Sequence, residues 1–444
     1  MRRLLFAACI LAASAASAFA QANADNGACV AEPTSSLTAS QRIAACSAVI
    51  ASIKDTPHEL SAALVSRGNA HLSVNETEAA FADFDRAIAI DQKNARAFRE
   101  RAGAYRTVGR LDRALADANE AVRLDPADAR AFDNRGNVFN NNRQYDRAVA
   151  DYDEAIRLDP NFGLAYMDRG VAHYFQNDFE AAIKDYDKAI DLDPKRSRAF
   201  ANRGSAYKKL GRYEQALADD SEAIKLDPAT PEYRDNRGLT YQGNGDYDRA
   251  IADYNEAIRL APQANFLTNR GDAYQFKGDL DRAIADYDRA IKLNPGFYLA
   301  YNNRGTAFRR KGDFERAIAD YEQALRINPK NDTAAQNLAE TRQEQDRRNG
   351  VSNRLLPSFD CADARRAVEK AICSDADLSR LDRQMDDAFK AALARLDRKG
   401  VARLRAEQRA FNVRRDTMFG RADYQLKHEL EGRLQVLRGL SSAD

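Results

Sequence analysis

The sequence predicts an all-α protein: an α-solenoid of eight helix–turn–helix units followed by a small helical domain of different construction. Three observations predict it. The stretch "NRGNVFNNNRQYDRAVADYDEAIRLDP" returns as "NRGSAYKKLGRYEQALADDSEAIKLDP", "NRGDAYQFKGDLDRAIADYDRAIKLNP" and "NRGTAFRRKGDFERAIADYEQALRINP", at a period of 34 residues with one interval of 33. Small residues and proline hold fixed columns inside each unit. From Phe359 the period stops and a separate amphipathic helical pattern begins.

The chain opens with "MRRLLFAACILAASAASAFAQA". Arg2 and Arg3, an apolar run and Ala18-Phe19-Ala20 before Gln21 have the pattern of a secretory signal peptide over residues 1–20. The apolar run is too short for a comfortable membrane span, and no later stretch could span a bilayer. The expected location is periplasmic or secreted, where thiols tend to pair. The mature chain keeps Cys29, Cys46, Cys361 and Cys373, an even number. Charged residues make up 30% of the 444 and balance to +1. That balance, with export, argues against nucleic acid as a partner.

The columns explain the helices. A small residue stands at Gly68, Ala102, Gly136, Gly170, Gly204, Gly238, Gly271 and Gly305, and alanine follows twelve and nineteen residues later. Small residues let two antiparallel helices approach closely. Proline follows 24 residues after most of the first column, from Pro126 to Pro329, with Gln92 as the exception. It ends the second helix and starts the next unit. Gly109, Gly211, Gly245, Gly278 and Gly312 suit a left-handed turn between helices. In the third unit Arg143 sits there beside Asn142, so a different turn is expected.

These columns resemble the tetratricopeptide repeat family over eight units, residues 61–331. The resemblance implies a superhelix whose first helices line a groove that binds peptides or protein surfaces. Departures are Ala102, Gln92, His71 and His173 in an aromatic column, and Arg234 at an apolar one. Residues 21–60 are expected to form an N-terminal cap. There "ASQRIAACSAVIASIK" reads as an orphan second helix with Cys46 in the packed seam, tied by a Cys29–Cys46 disulfide. Residues 332–356 read as a capping helix, "DTAAQNLAETRQEQDRR", and a linker.

Two columns of opposite sign are complete. Arginine precedes the small-residue column in all eight units, from Arg67 to Arg304. Aspartate follows that column by fifteen residues, from Asp83 to Asp320. The expectation is an Arg–Asp ladder between helices rather than an anion or metal site. The D-x-D spacing does not make a metal site, because residues two apart on a helix point in different directions. His58, His71, His173 and His428 are scattered, and no Cys/His cluster, phosphate loop or nucleophile motif is present. No enzyme and no cofactor are expected.

Helical spacing places the groove on the first helices. Its basic residues are Arg96, Arg99, Arg106, Arg130, Arg198, Lys208, Lys209, Arg309 and Arg310, against four acidic ones, Asp133, Glu232, Asp235 and Asp272. Asn137, Asn140, Tyr174, Gln242 and Gln275 add amides and an aromatic ring suited to an extended peptide. The expected partner is a protein or peptide with an acidic or C-terminal segment, bound in a salt-sensitive way.

The last region carries "FDCADARRAVEKAICSDADLSRLD" and "AEQRAFNVRRD". Leu378, Leu381, Met385, Phe389, Leu393 and Leu396 share one helical face, capped by Ser374 or Asp375 and ended at Lys399-Gly400. Residues 401–419 and 423–440 read as two further amphipathic helices. Through Cys361, Glu369 to Cys373, Leu381-Asp382, Gln408 to Phe411 and Arg415-Asp416, residues 357–444 resemble the lysozyme-inhibitor LprI-like domain family. With the compartment, this implies a Cys361–Cys373 disulfide. A continuous helix between the two would hold their Cα atoms ~18 Å apart. The bond therefore requires loop or turn over 361–366, a short helix through "AVEKAIC" and a reversal near Ser374. The family second cysteine pair is missing, since Thr417 and Met418 follow Arg415-Asp416. The domain nets +3, and its one acidic cluster surrounds Asp382, Asp386 and Asp387. The resemblance makes inhibition of lysozyme or another cell-wall enzyme the second function, and that edge its expected contact.

Overall fold

A computed structural model describes residues 28–29, 37–53, 56–348, 364–421 and 424–442. The signal peptide expected at 1–20 lies outside these residues. All elements within them are helical, α1 to α22. The chain forms two compact units, residues 1–273 and 274–444, taken in turn below.

Helix α1 (Ala39–Ser52) opens with a capping box, in which Gln41 N donates to Thr38 Oγ1 and Thr38 N to Gln41 Oε1. Cys46 is buried and disulfide-bonded to Cys29 at a Cα–Cα distance of 4.6 Å. The sixteen repeat helices follow, from α2 (Pro57–Ser73) to α17 (Phe314–Ile327). Even numbers are first helices and odd numbers second helices.

Steric fit explains the small-residue column. A Cβ on Gly136, Gly170 or Gly238 would stand 2.6–2.7 Å from the ring of Tyr152, Tyr186 or Tyr254. Those rings are buried in the seam sixteen residues further on. Ala102 fits the second repeat because Ala118 replaces the ring there, and both are fully buried. The turn in the third repeat is not different after all. Arg143 takes φ 57°, left-handed like Gly211 at 71°. Arg143 N donates to Asn140 O and Gln144 N to Phe139 O, as Gly211 and Arg212 do to Lys208 and Tyr207. The two backbone bonds hold a non-glycine residue in a costly conformation.

In the second unit, α18 (Asp332–Arg348) packs on α17, and the C-terminal helices are α19 (Ala367–Ser374), α20 (Ala376–Arg395), α21 (Arg398–Met418) and α22 (Leu426–Ser442). Residues 364–366 are non-helical and the chain reverses after Ser374. Cys373 is disulfide-bonded, and Cys361 lies outside the described residues. Asp375 caps α20 by accepting from Asp377 N and Leu378 N. Lys399-Gly400 does not end that helix. Asp397 accepts from Gly400 N and starts α21 there. Val368, Ile372, Leu381, Met385, Phe411, Leu430 and Leu437 form the core.

Candidate functional site

The arginine column builds a ladder. In seven repeats the guanidinium donates through Nε and Nη2 to both oxygens of the aspartate sixteen residues ahead, at 2.6–2.9 Å. The eighth arginine, Arg270, and the eighth aspartate, Asp286, fall in different units. The third donor, Nη1, reaches back to the preceding repeat: Arg101 to Asp85, Arg169 to Asp153, Arg203 to Asp187 and Arg304 to Asp288. Asn119, Ser221 and Asn255 take that place for Arg135, Arg237 and Arg270, and Ser47 of α1 serves Arg67. The two aspartates of D-x-D thus serve different arginines, their own and the next. The hydrogen bond that Arg203 donates to Asp219 raises the Arg203 pKa against the opposing effect of burial. The ladder holds helices together and offers no free charge.

First helices of successive repeats touch one another from α2 to α12, so they share a face. Many residues expected to line a groove there are engaged internally. Arg99 on α4 (Ala95–Thr107) donates to Glu100 and Asp128. Asn137 on α6 (Ala129–Asn141) donates to Asp168 at 2.9 Å and accepts from Tyr152 Oη. Tyr174 packs edge-on against Phe175 and Phe179. The side-chain carbonyls of Gln242 and Gln275 accept from Tyr254 and Tyr287. Arg309 donates to Glu340 and Glu344 of α18.

Arg106 Nε and Asn140 Oδ1 are buried without a hydrogen-bond partner. Arg106 lies within Coulombic reach of Asp133 and Asp168, whose pKa values burial raises. Lys209 is exposed and Lys208 half-buried, and neither makes an ion pair among the described residues. Burial lowers the Lys208 pKa. Two buried carboxyls act on it: Asp235, counted among the acidic residues of the face, and Asp220, which was not singled out in the sequence. Asp220 and Asp235 are 1% and 7% exposed, and burial pushes them up to about 7 and about 6. The departure of Asp220 from the Phe/Tyr column was the available signal.

In the C-terminal domain the acidic edge is smaller than expected. Asp382 is 2% exposed and lies 3.7 Å from Arg415, itself 5% exposed. It is an interior ion-pair partner, because it falls on the same helical face as Leu378 and Met385. Asp386 pairs with Lys390, and Asp387 is exposed. Arg366 joins Glu369 and Asp416, and its side-chain and backbone bonds hold the Glu369 pKa down to about 2. The motif residues Glu369, Asp382, Arg415 and Asp416 thus fasten helices together.

No group of ligating side chains fit for a metal ion occurs among the described residues, and none of their helices is long and apolar enough to cross a membrane.

Family profiles described as tetratricopeptide repeat match residues 65–129, 134–197, 185–218, 236–263 and 268–332, and one described as TPR repeat matches 204–245. The profile described as lysozyme inhibitor LprI matches residues 361–437. No curated protein matches. Among solved structures, the APC/C hetero-tetramer Cut9–Hcn1 is similar at 18% identity and a TM-score of 0.51. The match covers 71% of this chain and 62% of that one. A tetratricopeptide repeat protein from Parabacteroides merdae is similar at 21% identity over 56% of this chain and 99% of that one, at a TM-score of 0.48. At these identities the likeness to Cut9–Hcn1 speaks for the fold alone.

Proposed function

We propose that this chain, which belongs to the tetratricopeptide repeat family and carries a lysozyme inhibitor LprI domain at its C-terminal end, is an exported, non-catalytic scaffold whose first-helix face captures an acidic protein segment. The supporting observation is a contrast of charges. The ladder neutralises its arginines within the array, whereas Lys208 and Lys209 on the shared face have no ion-pair partner among the described residues. Phe175, 55% exposed on the same face, offers an apolar contact. Such a site draws in a carboxylate-rich segment and weakens with salt. Arg309 is committed to α18 and contributes packing instead.

The test is fluorescence anisotropy with the full mature chain and a labelled hexaglutamate peptide. Binding is expected at low salt, lost in Lys208→Glu/Lys209→Glu and absent for hexalysine. Equal binding of both peptides, or no binding of hexaglutamate, overturns the reading.

The LprI match supports a second activity, inhibition of lysozyme. The remaining acidic edge, Asp386 and Asp387, is its proposed contact. The oxidised protein should slow lysis of cell-wall substrate by a c-type lysozyme, and Asp386→Lys/Asp387→Lys should abolish the effect. Undiminished lysis at high micromolar protein rules this activity out.

A further inference from the structure

The fifth repeat breaks a column that the other repeats fill with apolar side chains. At the seam position the array carries Phe84, Ala118, Tyr152, Tyr186, Tyr254, Tyr287 and Tyr321, all buried. The fifth repeat places Asp220 there, on α11 (Tyr213–Leu226). A Cβ on Gly204 would meet Asp220 Oδ1 at 2.9 Å, so the carboxyl reaches where the rings of other repeats lie. Asp220 Oδ1 is buried and has no hydrogen-bond partner. A lone buried carboxyl is costly to ionise.

The other oxygen accepts from one hydroxyl. Thr240 Oγ1, on α12 (Pro231–Gly243), lies 2.8 Å from Asp220 Oδ2 and 2.9 Å from the Asn236 carbonyl oxygen. A hydroxyl has one hydrogen to donate, so Thr240 shares it between the carboxyl and its own helix. Burial raises the Asp220 pKa against that bond.

The groups facing this carboxyl come from three helices. Lys208 stands on α10 (Ser197–Lys209), Asp219 is its own neighbour, and Arg237 belongs to α12. Lys208 in turn feels Asp220, Asp235 and Lys209. Asp235 feels Lys208 and Glu232, and accepts from Asn269 on α14 (Ala264–Phe276) at 2.9 Å. Lys208 lies one turn along α10 from Gly204, against which Asp220 Oδ1 packs, and its charge acts on both buried acids.

We infer that Asp220 is a proton-operated gate on Lys208. Protonated, it leaves the ammonium free to hold a carboxylate of the captured segment. Ionised, it claims that ammonium for itself. Asp235 acts in the same direction, so capture weakens as pH rises past the range in which the two acids lose their protons. Stability follows the same sign. The folded pKa of Asp220 lies above its unfolded value, so its contribution is complete below about pH 4 and is lost as pH rises through about 7.

This inference rests on the first-helix face as the capture site, and one experiment separates the two. Hexaglutamate affinity is measured with the full chain at pH 5.5 and 8.5, where the peptide is largely ionised. The wild type should lose about tenfold on going to pH 8.5, the worth of one charge-assisted contact. Asp220→Asn should lose less than about threefold, the remnant belonging to Asp235. Asp220→Asn/Asp235→Asn should be flat, and Lys208→Gln weak at both pH values. Asp220→Tyr, which restores the column, guards against a misfolded amide and should behave as Asp220→Asn does. Wild-type binding that is equal at both pH values overturns the gate and leaves the capture site standing. So does an Asp220→Asn response as large as that of the wild type. No hexaglutamate binding at either pH overturns the capture site, and the gate with it.

Discussion

Both the repeat array and the C-terminal domain bury arginine–aspartate pairs, and they bury them to different depths. In the array, an arginine such as Arg203 is about one-fifth exposed and shares its donors between Asp219 and Asp187, so losing one acceptor leaves another. In the C-terminal domain, Arg415 and Asp382 are nearly solvent-free and lie in a core of few helices, and Arg415 also donates to Asp416 at 3.1 Å. The same pair of side chains is a tie wetted at its edge in one place and a dry one in the other. Desolvation, rather than pair chemistry alone, sets what a loss costs.

Mutations can break this comparison. Asp382→Ala should have the largest effect, on the order of 3 kcal/mol, because it takes one of two carboxylates from a guanidinium that is 5% exposed. Hydrogen exchange of α20 and α22 should then accelerate while repeats one to five stay protected; unchanged exchange of α20 would contradict the weight given to the dry pair. The ladder pair should come next. Melting of Arg203→Ala, Asp219→Ala and the double variant should give a coupling on the order of 1–3 kcal/mol, and strict additivity would remove the pair from the energetics of that repeat. The smallest effect belongs to the third-repeat turn. Arg143→Gly should stabilise by about 1 kcal/mol by relieving a left-handed side chain. The equivalent Gly211→Arg should cost a similar amount, and a stable Gly211→Arg would show that the turn carries no strain.

Much of this was legible in the sequence because repetition averages out accidents. Two complete columns, Arg67 to Arg304 and Asp83 to Asp320, already required a common partner rule. The second acceptor column was not legible, because its residue types vary. Asp85, Asn119, Asp153, Ser221 and Asn255 share only an oxygen that can accept. Asp220 was missed for the opposite reason: attention to what recurs passes over the one position that departs. Asp382 was open to a better reading, since it follows Leu378 by four residues and precedes Met385 by three. Its charge drew it to the surface on paper, while helical spacing had already placed it inside. The engagement of Arg309 by Glu340 and Glu344 depends on how α18 packs, which no local pattern carries.

The arginines of the ladder stand midway between their two acceptors, sixteen residues from each in Arg101, Arg169, Arg203 and Arg304. That symmetry matches the 34-residue unit. Excising the stretch from Arg169 through Asn202 would bring Asp153 into the place of Asp187 before Arg203, with no charge orphaned. Duplicating the same stretch would be equally silent. Electrostatically the array is a tiling with interchangeable tiles, so its length can drift by whole units while each join still closes.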